Sequence, residues 1–211
     1  MSTTTHSTSI RFDDLHALRV KGRASDEAFA HMLGIPVDEV AHRRSVLTEA
    51  GLAQHREGRI PFTSLTPEGR QLHQALLAER LDDADRRRGV EETLAAFLPI
   101  NGDMKRVCAS WQTRPDGSPN AHDDQDYDGS VVQQAAGVNA RATALLRSSS
   151  TVEPRLARYA DRLDAALRRV QSGESSAFLR PMCESHHDIW MELHEDLILL
   201  AGRERNEHDE G

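Results

Sequence analysis

Apolar positions recur at helical spacing from the start of the chain. Phe12, Leu15 and Leu18 predict a short helix that stops near Gly22. Ser25 suits an N-cap, and Asp26 and Glu27 suit the positive end of the helix that follows. Phe29, Met32 and Leu33 form that helix's apolar side, and Gly34 ends it. Pro36 then opens a third helix at its first position. In it Val40 and Leu47 mark the inner side, with Val37 and Ala50 flanking. At about 100° per residue, Asp38, His42, Ser45 and Glu49 point the other way, while Arg43 and Arg44 straddle the edges. After Gly51 the period changes. Leu52 to His55 and Ile60 to Leu65 predict a short hairpin around Glu57-Gly58, with Arg56 and Arg59 beside its tip. Thr66 caps the next helix, with Pro67 at its first position and Leu72, Leu76 and Leu77 continuing it.

The remainder predicts helices throughout. Asp82 to Arg88 is all charge apart from Ala84 and reads as a connector helix or hinge. Val90 to Leu98 is expected to be a short helix ended by Pro99. Asp103 to Thr113 is a second one, with Met104, Val107, Cys108 and Trp111 on one side. Three longer helices follow, over Tyr127 to Leu146, Pro154 to Val170 and Phe178 to Leu200. Leu156, Tyr159, Leu163, Leu167 and Val170 give the middle one a clear stripe. Short connections favour antiparallel neighbours, hence a bundle. The expected fold is mainly α: a winged helix-turn-helix with a small β-hairpin wing over residues 11–80, then a C-terminal α-helical bundle over 81–202. Residues 1–10 and 203–211 are polar or charged and expected to be disordered.

Charge sharpens this division. The net charge is −8. Residues 1–80 hold 10 Arg/Lys and 10 Asp/Glu, so all the excess acidity lies in residues 81–211. Nucleic acid is repelled by such a surface, so binding would need a local basic patch in the first part. Arginine outnumbers lysine 24 to 2, the bias of a GC-rich bacterial genome. No apolar run reaches the roughly 20 residues that cross a membrane, and the N-terminus has no signal-peptide pattern. Two distant cysteines, Cys108 and Cys183, suggest a reduced, cytoplasmic setting.

Ala50-Gly51-Leu52, followed by a hairpin and by Leu65-Thr66-Pro67-Glu68-Gly69-Arg70, resembles the MarR-type winged-helix regulators of bacteria. The resemblance covers about residues 11–80. It implies a homodimer that binds palindromic double-stranded DNA and releases it when a small-molecule effector binds. The DNA-facing positions it carries over are His42, Arg43, Arg44 and Ser45 on the third helix, and Arg56 and Arg59 on the wing. Members of that family carry a longer helical segment before the winged helix and end soon after the wing, so dimer geometry and ligand site are not carried over.

Other residue groups suggest chemistry less directly. Trp111, Tyr127, Tyr159, Trp190 and His194 could line an effector pocket in the second part, and equally suit a core or a dimer interface. Residues 11–80 are expected to be too few to enclose a cavity of roughly 300 Å³ as well. Asp124-x-Asp126-x-Asp128-Gly129 matches the start of an EF-hand loop, but Ala135 stands where the bidentate Glu is needed. Cys183 and His187 lie one helical turn apart, with His186 and His194 nearby, and a zinc site would need Cys108 or His122 besides. Neither motif is complete, so no metal or cofactor is expected. Enzyme signatures are lacking: there is no G-x-S-x-G, Walker loop, Rossmann glycine pattern or H-E-x-x-H. The expected function is a transcriptional regulator. The alternative is a winged-helix protein-interaction adaptor that does not bind DNA, kept open by the neutral charge of residues 1–80.

Overall fold

The structure, a computed structural model, describes residues 9–203. Most of the two segments expected to be disordered lies outside these. The described residues form nine helices and one antiparallel strand pair. They fall into two compact units that divide between Asp82 and Asp83.

The first unit contains α1 (Phe12–Lys21), α2 (Asp26–Leu33), α3 (Val37–Glu49), β1 (Ala53–Arg56), β2 (Phe62–Leu65) and α4 (Pro67–Leu81). Ser25 caps α2 by accepting from the Ala28 N–H at 3.2 Å. Pro36 sits at the N-cap of α3, one position earlier than its spacing predicts. Val40 and Leu47 are fully buried and join Leu15, Phe29 and Leu65 in one core. The hairpin registers Ala53 with Leu65 and Arg56 with Phe62. Ala24, just before α2, adds a bridge to Thr63 on the outer edge of β2, which the sequence pattern did not suggest. At the end of the hairpin, Thr66 both caps α4 at the Gly69 N–H and donates to the Gly51 carbonyl at 2.7 Å. A Cβ at residue 69 would lie 1.9 Å from the Leu52 carbonyl oxygen, so only glycine allows this approach. The Gly51-Leu52 and Thr66-x-x-Gly69 text is thus one structural joint.

The second unit is a helical bundle. Its long helices are α5 (Ala84–Gln112), α6 (Gln125–Ser149), α7 (Leu156–Gln171) and α9 (His186–Leu200), with one short turn, α8 (Ser176–Leu179). Neighbouring pairs run α5–α6, α6–α7, α7–α9 and α9–α5, closing a four-helix ring. All five stripe residues of α7 are buried.

Three expectations are corrected. The connector helix is interrupted: α4 ends at Leu81, and the Asp83 carboxylate accepts from the Asp85 and Arg86 N–H groups to start a new helix. The break predicted at Pro99 does not occur, because α5 runs straight through it. Pro99 and Ala95 are both exposed, so water can satisfy the Ala95 carbonyl that loses its partner. Val90, Leu94, Phe97, Asn101 and Met104 meanwhile bury a continuous stripe across the proline. The last helix does not extend from Phe178. Pro181 and the positive φ angles of Met182 and Glu184 turn the chain, and Ser185 caps α9 at the Asp188 N–H.

Candidate nucleic-acid interface

The six candidate DNA-facing residues separate into two groups. On α3, Arg43 reaches inward to the buried Asp14 carboxylate of α1 at 3.3 Å. Arg44 pairs with Asp26 at the start of α2. Ser45 donates to Glu49 at 2.6 Å, and His42 is half-buried. Burial pushes the Asp14 carboxyl above the usual carboxylate range, and the Arg43 charge and hydrogen bond partly offset this. The arginines of α3 therefore tie three helices together. What α3 shows to solvent is Val37, Asp38, Glu39, Ala41 and Glu49, an acidic and small-residue face.

The hairpin differs. Arg56 and Arg59 are exposed. Arg23, which the sequence pattern did not single out, lies over the Phe62 ring at 4.9 Å, and Phe62 is the register partner of Arg56. The nearest acidic group in sequence, Glu57, is engaged by His55 at 3.2 Å. At the other end of β2 lies a half-open cleft of ≈ 310 Å³, lined by Leu18, Arg19, Gly22, Leu65 and Arg70. The cleft is open to solvent on one side, so residues 11–80 do not enclose it. The wedge left between the end of α1 and the start of α4 creates it.

In the second unit the candidate effector residues are engaged internally. Trp111 meets Phe178 edge-on at 5.1 Å and His122 at 4.5 Å. Phe178 continues to His186, His186 to Trp190, Trp190 to Phe97 and Phe97 to His194, all at 5.3 to 6.0 Å. The Trp190 indole donates to Asn101 Oδ1 at 2.8 Å. The Tyr127 hydroxyl donates to the Ser110 carbonyl, with Arg114 over its ring. The Tyr159 hydroxyl donates to Asp196 at 2.9 Å. Burial and the carboxylates of Asp196 and Glu192 push that phenol well above its ordinary value. Phe97, Phe178, Asn101 and Asn139 complete this interior. Nothing local in the sequence marks the two asparagines as partners of α9.

Ionic groups are buried there as well. Arg162 bridges Glu184 at 2.8 Å and Glu192 at 2.7 Å. Burial alone would lower its pKa, but the two carboxylates outweigh it and the value is raised. His186 Nε2 lies 2.9 Å from Asn139 Oδ1, and the Asn139 amide donates to Asp164. Since Asn139 Oδ1 can only accept, Nε2 carries the imidazole proton. Burial, with His187 nearby, lowers the His186 pKa to about 4.

The metal-like motifs do not assemble. Asp124 caps α6 at the Tyr127 N–H, so Asp126 and Asp128 stand on a helix and not in a loop. Asp128 is held by Asn120 and His122. Cys183 precedes α9, so the helical spacing to His187 is absent, and its thiol lies 3.2 Å from the Arg180 carbonyl. Burial pushes the Cys108 thiol up to about 11. Among the described residues no three His, Cys, Asp or Glu side chains converge on a metal position, and no helix is long and apolar enough to cross a membrane. No family model, curated protein or solved structure matches this chain.

Proposed function

We propose that residues 11–80 are a winged helix-turn-helix and that the protein is a DNA-binding transcriptional regulator. The carrying observation is the hairpin: a two-stranded ribbon set after three helices, with Arg56 and Arg59 exposed at its tip. The Ala24–Thr63 bridge supports the reading by giving that ribbon a third edge next to α2. The MarR-type resemblance rests on Ala50 to Arg70, whose Gly51–Thr66–Gly69 joint is a real piece of architecture. It implies a cytoplasmic homodimer on a palindromic operator, and the bundle, outside the resemblance, is proposed as the dimerising part. A small-molecule effector belongs to the same proposal. The tight interior around Trp190 favours core over pocket for most of the residues first considered for it.

The adaptor reading keeps one specific observation in its favour. The solvent face of α3 carries Asp38, Glu39 and Glu49, while both α3 arginines are paired within the unit. A mobility-shift titration with duplex from upstream of the protein's own gene separates the readings. The regulator reading expects a salt-sensitive complex that Arg59→Ala weakens. Absence of any complex at low salt refutes it.

A further inference from the structure

In the first unit exposed arginines gather on the hairpin side, with Glu57 among them and engaged by His55 at 3.2 Å. Along β2 the hairpin side carries Arg56 and Arg59 at one end, Arg23 against Phe62, and Arg70 at the other end, where its Nη1 donates to the Leu65 carbonyl at 3.3 Å. Phe62 to Leu65 spans roughly 10 Å, and one DNA strand advances roughly 3.4 Å of helix axis per phosphate. Segment 22–24 runs antiparallel beside β2, with Ala24 bridged to Thr63 and Gly22 lining the same cleft as Leu65. It thereby sets Arg23 into the same row. All four arginines lie on exposed residues. The outward face of α3 offers Asp38, Glu39 and Glu49. A phosphate-lined groove repels that face, and Arg43 and Arg44 could reach base edges only by leaving Asp14 and Asp26.

We infer that this protein holds duplex DNA by its hairpin side, with the phosphate backbone along Arg23, Arg56, Arg59 and Arg70, and that α3 does not enter the major groove. This rests on the DNA-binding reading above and adds the mode of contact. Arg70, at the mouth of the Leu18–Leu65 cleft, is the far end of the track. Charge complementarity selects the occupant: a row of planar guanidinium groups suits closely spaced phosphates.

The test is fluorescence anisotropy of the full chain on labelled duplexes of several different sequences, across salt. Each of Arg23→Ala, Arg56→Ala and Arg70→Ala removes one phosphate contact. Each is expected to weaken binding about eightfold at 0.1 M salt and to lower the log–log salt slope by about one. Arg23→Lys and Arg70→Lys keep the charge and restore most of the affinity. They also cover any folding loss in the alanine variants. Asp38→Ala and Glu49→Ala leave affinity and base preference unchanged. A complex insensitive to Arg23 and Arg70, or one whose base preference changes with Asp38 or Glu49, overturns the hairpin-side mode while leaving DNA binding intact. Failure of the unaltered chain to bind duplex, with binding to polyglutamate instead, overturns both readings.

Discussion

Arginine does opposite work in the two units. In the second, two arginines are interior residues: Arg162 lies between Glu184 and Glu192, Arg155 lies on Glu153, and both are almost wholly buried. In the first, Arg56 and Arg59 extend from a hairpin into solvent, while Arg43 and Arg44 are tied to carboxylates inside the unit. The same side chain is thus cross-link or contact according to whether a carboxylate meets it inside the fold. Aromatic residues teach the same lesson. Trp111, Trp190 and Tyr159 have the composition of a pocket, yet each is closed off by a ring or a hydrogen-bond acceptor from another helix. Residue type shows what a position can do, and the neighbours supplied by other elements decide whether it is free to do it.

The largest expected effect tests the interior role. Arg162→Ala strands two carboxylates against the Tyr159 ring and should cost about 3 to 5 kcal/mol, read by chemical denaturation of the full chain. A loss near zero would place Arg162 with the surface arginines and remove the contrast. Next comes pH. Unfolded His186 takes up a proton near 6.5, while the folded side chain resists it down to about 4. The unfolded state therefore binds more protons across that window, and stability falls as pH drops from 6.5 to 4, by about 3 kcal/mol at most. His186→Gln, which can still donate to Asn139, should flatten that part of the stability curve.

A smaller effect separates α3 from the hairpin. Arg43→Ala leaves Asp14 buried without its cation and should destabilise by about 2 kcal/mol. Asp14→Ala in the same chain should recover part of this in a double-mutant cycle. If Arg43→Ala instead leaves the melting temperature unchanged and lowers DNA affinity, its guanidinium belongs to the interface. The smallest effect on stability is Arg59→Ala, within about 0.5 kcal/mol of the parent chain. Its affinity for DNA should fall about eightfold at 0.1 M salt. The pair Arg43 and Arg59 thus reports stability in one case and binding in the other.

Periodicity, capping chemistry and glycine placement by themselves determined the helical character of the chain. They also determined the α3 core pair Val40 and Leu47, the hairpin after Gly51, and the α7 stripe. These are local: a buried stripe, a hydroxyl acceptor at an N-cap or a proline at a first turn acts over a few residues, so neighbouring text suffices. The run through Pro99 was legible too, in the Val90, Leu94, Phe97, Asn101 and Met104 repeat, which a local proline rule overrode. Tertiary structure alone decided which polar groups meet. Asp14 with Arg43, Asn101 with Trp190, Asn139 with His186 and Tyr159 with Asp196 are 29, 89, 47 and 37 residues apart. A charge or amide constrains no local conformation strongly enough to betray such a partner. Only the packing of whole helices brings the two groups within 3.5 Å and removes the water that would otherwise separate them.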